Sequence, residues 1–552
     1  MSSATEPFRY SEFRWLWAGN VLSAAGTFVQ SVAGSWLMWE LTGSSTWVGL
    51  MVASSTLPLL FFSLTAGALA DRFNRAKIML LAQGVMGGAA AAMAVITFLD
   101  AMTPGLLLTL GLVLGTGLAL NLPAWQALVP NLVPRGLVAS AVALNSAAFN
   151  AARAVGPALG GALLALYGAA AGFAFNAVSY VAIIVALLVI GPRLGLTREE
   201  PTQSIRAAIS TGVRFARFTP TFRNLVMLVG LFALSSAVVQ AILPVHAAHL
   251  GGGEVVFGLL YGAMGAGALF GAFVRPRLGK WIDGSWVPYT IGSFGIAGII
   301  LGLAPSVWLA GVAMFLAGVF WLLTLATLNA TAQLMSPEWI RGRAMSIYTL
   351  AFVGIMPIGS ILSGVVADQI GTTGSLLVFS SAALLLGVVA PRFGVPHVDD
   401  VVAPEFTESE AQASPHQGDM FEGGPVIVLN TWKVSSADLP DFLAVMNELR
   451  LVRLTTGAYR WRLLRSTGDP TSITELMALH SWEDHLAQHA RIDDAAAALI
   501  RRARAFDVEG GPRTRHLMSI DVGHPLDFEE LVAAHDQMHL TDGSIPPTDQ
   551  GA

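Results

Sequence analysis

Residues 45–77 read STWVGLMVASSTLPLLFFSLTAGALADRFNRAK. No charged side chain occurs between Thr46 and Ala70, and charged residues begin again at Asp71. A helix needs roughly 20 apolar residues to cross a hydrocarbon layer that is ~30 Å thick. The stretch therefore predicts a membrane-spanning helix that ends in a basic loop.

The same pattern is repeated along most of the chain. Apolar stretches of spanning length are predicted at residues 14–39, 47–70, 78–99, 104–123, 138–166, 170–190, 224–246, 255–274, 287–304, 307–333, 344–367 and 373–390. A hydrophobic content of 54%, a charged content of 12% and a mean hydropathy of +0.62 are outside the range of soluble proteins. We therefore expect an all-α polytopic membrane protein with twelve transmembrane helices, whose main partner is the lipid bilayer.

The basic residues between Phe8 and Arg392 predict the orientation of these spans. Apart from one arginine in the interior of a span, all of them lie at or before the start of the first span, in every second gap or after the last span. Basic loops stay on the cytoplasmic side because transferring them across the bilayer is costly. Both termini are therefore predicted to be cytoplasmic. In the central gap, Ile205, Ile209 and Val213 are interspersed with arginines, which predicts an amphipathic helix at the inner surface.

The chain is predicted to contain several regions. They are an N-terminal six-helix half (1–190), a cytoplasmic central loop (191–223), a C-terminal six-helix half (224–392), a flexible linker (393–424), a cytoplasmic domain (425–522) and a partly disordered tail (523–552). Weak internal similarity at an offset of roughly 200 residues relates the two halves. Two repeated halves are a common architecture of secondary transporters.

The region after the linker has the periodicity of a small α+β domain. Strands are predicted at 426–434, 458–465, 473–480 and 514–520, and helices at 439–454 and 482–505. The order βαββαβ is that of a ferredoxin-like unit.

The loop after the second span carries the most specific motif. Gly67–Lys77 resembles the signature loop of the major facilitator superfamily, with Asn74 where glycine is usual. The resemblance implies the fold of this superfamily, in which two six-helix halves rock against each other. It also implies that the loop forms part of a gate. The gating residues that it implies are Gly67, Asp71, Arg72, Arg75 and Lys77. The acid of this motif is expected to meet the start of span eleven, near Ala344 and Met345.

The fifth span carries a second motif. Its residues Gly156, Pro157, Gly160 and Gly161 resemble the antiporter motif of drug exporters, in which glycine and proline soften the helix. A glycine-rich packing face without antiport is the alternative.

Arg153 is the one basic residue placed inside a predicted span. Placing a charge at membrane depth costs about 2.5–3.5 kcal/mol, so Arg153 is expected to face a polar cavity together with Asn150. It is the leading candidate for contact with an anion or the substrate. A structural arginine bonded to helix-end carbonyls is the alternative.

Further polar residues at membrane depth are candidates for the same cavity: Asn20, Gln30, Asn121, Asn145, Asn176 and Gln240. Each could instead form an interhelical hydrogen bond worth about 0.6 kcal/mol. No carboxylate lies near the middle of a predicted span, so the carrier of a coupling proton is not placed. His246 and His249 could titrate, although surface histidines are the simpler interpretation.

Three further strings narrow the resemblance to one branch of the superfamily. Phe13–Asn20, Asn121–Gln126 and Ala152–Pro157 resemble transmembrane secretion effectors related to bacterial enterobactin exporters. This implies a proton-coupled exporter of siderophores, drugs or secondary metabolites in the bacterial inner membrane. Import is the alternative of the same class.

The C-terminal domain has a resemblance of its own. Trp482, His485 and His489 fit the segment found in dimeric α/β-barrel domains of the antibiotic biosynthesis monooxygenase type. The resemblance implies a homodimer, a tethered enzyme or a ligand sensor. The two histidines share a helix face and could bind a metal or a quinone-like ligand, but the sequence offers no third ligand. We therefore predict no catalytic residue, no metal and no cofactor, and expect a transporter and not an enzyme.

The cysteine content and the net charge limit the kinds of site and partner that the chain can have. The chain contains no cysteine, which excludes disulfides, thiolate metal sites and cysteine nucleophiles. A net charge of −5 gives no indication of nucleic acid as a partner.

Overall fold

The computed structural model describes residues 5–72, 74–128, 132–190, 205–278, 286–337, 340–394, 425–480, 482–489, 491–492 and 494–518. The chain divides into two compact units. The first comprises Met1–Ile209 and Thr221–Val402, and the second comprises Ser210–Pro220 and Ala403–Ala552.

Long helices account for the first unit and for the segment that precedes residue 220. In chain order they are α1 (Ser11–Thr42), α2 (Ser45–Arg72), α3 (Arg75–Phe98), α4 (Pro104–Leu128), α5 (Val138–Ile190), α6 (Ile205–Phe218), α7 (Pro220–His249), α8 (Gly253–Leu278), α9 (Val287–Leu303), α10 (Val307–Leu334) and α11 (Arg341–Val389). The helix α6 coincides with the amphipathic helix predicted in the central loop.

Ten helical segments within the described residues are long and apolar enough to cross a membrane. The helix α5 supplies two of them because it breaks at Gly168, where φ is 75°. The helix α11 breaks in the same way at Gly371, where φ is 82°, and α9 is a further apolar helix of 17 residues. The prediction of a multi-pass membrane protein is confirmed, and the number of twelve spans stays a prediction.

Local sequence explains where several helices begin and end. Gly43, in the left-handed conformation at φ 60°, ends α1. Asn74 caps α3 by accepting a hydrogen bond from the Lys77 backbone N–H at 3.2 Å. Ser306 caps α10 in the same way. The asparagine that departs from the signature loop therefore serves as a helix cap.

Successive spans alternate in direction, so their ends fall on two sides. We call the side with Arg75 and Arg341, where α3 and α11 begin, the arginine side. The other side, called the far side, contains the turns at Gly43 and Gly251 and the breaks at Gly168 and Gly371.

The most extensive packing between first-half and second-half helices is that of α5 on α8 and of α2 on α11. Glycines allow these backbones to touch. A Cβ added at Gly258 would lie 2.6 Å from Cα of Gly161, and one added at Gly49 would lie 2.3 Å from the carbonyl oxygen of Ser360. Small residues allow this close approach between helices in membranes. These contacts lie in the far-side half of the bundle.

The second unit contains a four-stranded antiparallel sheet. Its elements are β1 (Val426–Lys433), α12 (Leu439–Thr456), β2 (Arg460–Arg465), β3 (Ser472–Leu479), α13 (Trp482–His489), α14 (Asp494–Arg504) and β4 (Arg513–Met518). The strand order is β2-β3-β1-β4. The predicted order βαββαβ is therefore confirmed, although the helix predicted at 482–505 is divided into α13 and α14. One face of the sheet is buried beneath the helices through Trp432, Phe442 and Met446.

Replacing Gly258 with alanine tests the glycine contact between α5 and α8. The added methyl group has no space against Gly161, and overpacking of this kind costs about 1–3 kcal/mol. We expect Gly258→Ala to lower the midpoint of thermal unfolding in detergent. Gly84→Ala is the matched control, because a Cβ at Gly84 would meet nothing within 4 Å. Equal midpoints for the two variants would contradict the contact.

Candidate functional site

Arg153 lies about midway along the part of α5 that precedes Gly168, and its side chain is half-buried. Three aromatic rings surround its guanidinium group. The distances from Cζ of Arg153 to the ring centroids are 5.9 Å for Phe28, 5.1 Å for Phe149 and 4.6 Å for Trp321. An arginine within about 6 Å of an aromatic ring centroid is attracted by the ring quadrupole. The arginine is therefore held in an aromatic cage.

The rings of the cage come from both halves of the first unit, which is called the membrane unit from here on. Phe28 belongs to α1 and Phe149 to α5, whereas Trp321 belongs to α10. Phe28 and Phe149 also contact each other, with centroids 5.7 Å apart. A molecule bound at Arg153 would thus contact the two parts that must move during transport. No pattern in the sequence singles out Trp321, because aromatic residues are common in spans.

A chain of aromatic side chains leads from the cage toward the far side. Tyr261 of α8 lies near Arg153. Phe257, one turn away, stacks on Tyr261 at 6.2 Å and on Trp36 of α1 at 6.1 Å. Trp36 and Phe257 are both buried. The far side of the cage is therefore closed by packed rings from both halves.

The charge of Arg153 is not neutralised by an acid within the described ranges, where its side chain forms no ion pair. Aromatic faces stabilise a cation but carry no negative charge. The arrangement can therefore accept an anionic group, or a polar group on a planar molecule, beside the guanidinium.

The glycines of the fifth-span motif lie at close contacts of α5. A Cβ at Gly156 would lie 2.7 Å from Cβ of Phe28, and one at Gly160 would lie 3.0 Å from Cα of Val29. Gly161 faces Gly258, as described above, and Pro157 is inside the helix. Both interpretations of the motif, packing face and flexible hinge, are compatible with this placement.

Most of the other polar residues proposed for the cavity bond to one another. Asn20 donates to Asn145 at 2.9 Å, and Asn176 donates to Gln30 at 2.5 Å. The amide of Gln83 donates to Asn121 at 3.2 Å. These pairs connect α1 to the two parts of α5, and α3 to α4. The geometry favours interhelical hydrogen bonds for these residues.

Two other residues proposed for the cavity are placed differently. Gln240 of α7 accepts a hydrogen bond from the Tyr261 hydroxyl at 3.5 Å, which brings it into the neighbourhood of the cage. Asn150 lies in α5, but its side chain is outside the described residues.

The signature loop can be placed only in part. Gly67, Asp71 and Arg72 lie in the last turns of α2, but the surroundings of Gly67 and the side chains of Asp71 and Arg72 are outside the described residues. Arg75 and Lys77 begin α3 on the arginine side.

One histidine near the far side contradicts the sequence interpretation. His246 is buried, with an exposed fraction of 4%, because α7 is covered along nearly its whole second half. Its interpretation as a surface residue is therefore wrong. His249 is exposed, and its Nδ1 lies 3.1 Å from the hydroxyl of Thr372.

The second unit encloses a buried carboxylate. Glu475 of β3 is fully buried and accepts hydrogen bonds from Asn430 (2.8 Å), Arg453 (3.2 Å) and Trp461 (2.9 Å). Arg453 also forms an ion pair with it. A charge without partners would be costly in this core. This network supplies the partners, which favours a structural role.

The histidines of the C-terminal domain form a second cluster there. Nε2 of His485 lies 3.0 Å from Nε2 of His516, and the His489 ring is 4.8 Å from that of His485. Trp482 contacts the rings of His485 and His516. His516 could not be predicted from the sequence, because only the tertiary fold brings β4 beside α13.

These histidines are neutral at physiological pH. Burial lowers the pKa of His485 to about 3, with smaller contributions from His489 and His516. Burial also lowers the pKa of His489 and of His516. Within the described residues, no group of three side chains is placed to hold a metal ion. The cluster can share a proton between rings, and its geometry does not indicate a metal site.

Comparison with known proteins identifies the family. A family model described as transmembrane secretion effector matches residues 2–523. The enterobactin exporter EntS of Citrobacter koseri is 30% identical over 355 residues, which cover 63% of this chain and 80% of that relative. The multidrug efflux pump Tap of Mycolicibacterium fortuitum is 25% identical over 382 residues, which cover 67% of this chain and 92% of that relative.

Solved structures show the same fold for the membrane unit. A D-xylose-proton symporter matches with a TM-score of 0.57 at 15% identity, over 70% of this chain and 99% of that one. A bacterial homologue of the iron transporter ferroportin, in an inward-facing state, matches with a TM-score of 0.56 at 18% identity, over 70% and 99% of the two chains. These matches, the family model and the exporter relatives agree with the multi-pass bundle. The chain belongs to the transmembrane secretion effector family and is a transporter of the major facilitator type.

Proposed function

We propose that this chain is a proton-coupled exporter that moves a small molecule out of a bacterial cell by alternating access. Twelve spans in two six-helix halves would cross the inner membrane, with both termini in the cytoplasm. Support for this topology comes from the spacing of the basic residues along the sequence and from the breaks at Gly168 and Gly371. Support for export comes from relatives that are exporters of enterobactin and of drugs.

The observation that carries the proposal is the caged guanidinium of Arg153. It lies at mid-depth, contacts aromatic rings from both halves and has no acid partner in the described residues. Charge-assisted hydrogen bonds contribute about 1.5–3 kcal/mol, so an anionic group of the cargo would bind well there. Phe149 and Trp321 would cover its planar parts. Gln240 and Tyr261 would add polar contacts on the far side.

The signature loop would act as the gate on the arginine side. Asp71 at the end of α2 would accept hydrogen bonds from the first turn of α11, where the helix dipole is positive. Gly67 would allow the close approach, while Arg72, Arg75 and Lys77 would hold the loop at the membrane surface. This gate would be closed when the transporter is open to the outside.

For the C-terminal domain we propose homodimerisation in place of catalysis. Along β1, buried residues alternate with half-exposed ones, so one face of the sheet is not covered by its own helices. Leu464 and Leu517 on that face keep exposed fractions of 47% and 40%. Because the domain resembles dimeric α/β-barrel domains, we propose that a second copy of the same domain packs against this face. A membrane-tethered monooxygenase-like enzyme is the alternative.

Replacing Arg153 should abolish most of the transport. We expect Arg153→Ala to lower the amount of a secreted metabolite in the medium by at least about tenfold, because the cargo loses a charged partner. Arg153→Lys should have an intermediate effect, since it keeps the charge but loses the planar face. The measurement is mass spectrometry of medium and cells from a deletion strain that is complemented with each variant.

Arg217→Ala is the matched control for this experiment. Arg217 is exposed in α6, its Cζ lies 5.8 Å from the ring centroid of Phe218, and it belongs to the second unit. Wild-type secretion by Arg153→Ala would contradict the assignment of Arg153. A metabolite that is depleted from cells expressing the chain and enriched in the medium gives the direction of transport.

Deleting residues 425–552 separates the transporter from the C-terminal domain. We expect the shortened chain to keep efflux, because every residue of the cage belongs to the membrane unit. It should lose self-association, measured by cross-linking in intact membranes. Loss of all efflux at equal expression, or oxidation of phenolic compounds by the full chain and not by the shortened one, would favour the enzyme alternative.

Acid should destabilise the C-terminal domain through His485. The unfolded residue binds a proton near its ordinary pKa of about 6.5, whereas the folded residue is protonated only near its lowered pKa of about 3. The stability is therefore fully present above pH 6.5 and falls as the pH is lowered, by about 2 kcal/mol at pH 5. Hydrogen exchange of β1 in the full chain, corrected for intrinsic rates, measures this loss.

His485→Gln should remove most of this dependence on pH. His480→Gln is the control, since His480 is exposed and stacks on Tyr459 at 4.5 Å. If β1 is equally protected at pH 7 and pH 5 in the unmodified chain, the burial argument fails.

A further inference from the structure

Asp368 connects the two halves on the far side. It lies in the part of α11 that precedes Gly371, three residues before this break on the far side. Its carboxylate accepts a hydrogen bond from the Ser44 hydroxyl at 2.6 Å, from the Ser45 N–H at 2.7 Å and from the Thr46 N–H at 3.1 Å. The acid therefore belongs to one half and all three donors belong to the other.

The donors form the start of α2. The first N–H groups of a helix have no partner within the helix, and the positive end of the helix dipole attracts an anion there. A side chain that caps these groups normally comes from the residue just before the helix. Here the cap comes from a residue more than 300 positions away, so it forms only while α2 and α11 are together.

Glycine contacts hold the two helices in the required position. A Cβ at Gly364, one turn before Asp368, would lie 2.4 Å from the carbonyl oxygen of Ser45. A Cβ at Gly354, further toward the middle, would lie 2.7 Å from Cδ1 of Leu60. The helices α2 and α11 are thus in contact from the far side to mid-depth. Separating them at the far side would remove all three hydrogen bonds of Asp368 together.

We propose that Asp368 is the latch that holds the far side closed, and that release of cargo on that side requires these three hydrogen bonds to break. The inference rests on the proposed function, because it takes the far side to be the outside of the cell. Asp368 is a positioning residue that acts through α2, and it does not contact the cargo. The pair α2 and α11 then carries one acid at each end: Asp368 on the far side and, by the proposed gate, Asp71 on the arginine side.

A single cysteine at Ser31 reports the state of this latch. Ser31 lies in α1, ~16 Å from the far-side end of that helix and close to Tyr261 of α8 in the other half. The chain contains no cysteine of its own, so Ser31→Cys gives one thiol. The measurement is the rate at which a membrane-impermeant maleimide, added to intact cells, labels this thiol.

We expect Asp368→Asn to raise the labelling rate about tenfold, since the amide keeps one acceptor oxygen but loses the negative charge and the oxygen that accepts from Ser44 and Thr46. Asp368→Glu, which restores the carboxylate, should return the rate most of the way. Ser44→Ala removes one of the three hydrogen bonds and should give an intermediate rate. Asp100→Asn, at the far-side turn between α3 and α4, is the matched control and should leave the rate unchanged.

Two results would overturn the latch. One is a rate for Asp368→Asn equal to that of the Ser31→Cys parent at the same amount in the membrane. If Asp368→Asn does not insert into the membrane, the second result is a labelling rate for Ser44→Ala that equals that of the parent. This result would refute the proposal. The readout needs no cargo, so a chain that transports nothing still reports the latch. Fast labelling of the parent itself would instead count against the proposed orientation.

Discussion

Hydrocarbon does not solvate a charge, and this one constraint arranges the molecule. It keeps the lysines and arginines at the described helix ends, such as Arg75 and Arg341, on one side of the bundle and leaves long uncharged helices between them. It also makes the exceptions informative. Arg153 is a cation at mid-depth that is held by aromatic faces, and Asp368 is an anion at a membrane edge that is held by helix N–H groups. Each exception connects the first half of the bundle to the second.

The two connections have different physical characters. The cage around Arg153 contains polarisable rings and no acid in the described residues, so its charge remains available to a bound molecule. The carboxylate of Asp368 already has three donors and is satisfied by the protein itself. A site with unused interactions suits binding, and a site with all interactions used suits the stabilisation of one conformation. Binding and closure are thereby separated along the same bundle.

Local rules were sufficient to predict most of the elements. Apolar length and flanking charges placed the helices to within a few residues, and alternation placed the strands of the C-terminal domain. The long-range partners could not be predicted, because they depend on which helices pack together. Trp321 beside Arg153, His516 beside His485 and Ser44 beside Asp368 are each brought together only by the tertiary fold. For the same reason the sequence could not distinguish a cavity-lining amide from a paired one, as with Asn20 and Asn145, or a surface histidine from His246.

Gly168 and Gly371 show how the two halves are related. Both break a long helix on the far side, at φ values of 75° and 82° and ψ values of 176° and 164°. This conformation is nearly restricted to glycine. Two such corners in corresponding places, roughly 200 residues apart, are what a tandem gene duplication leaves behind. The charged residues do not share this correspondence: counted from the glycine, Met356 and Ala165 occupy the positions that match Arg153 and Asp368, so the cation and the acid each belong to one half alone.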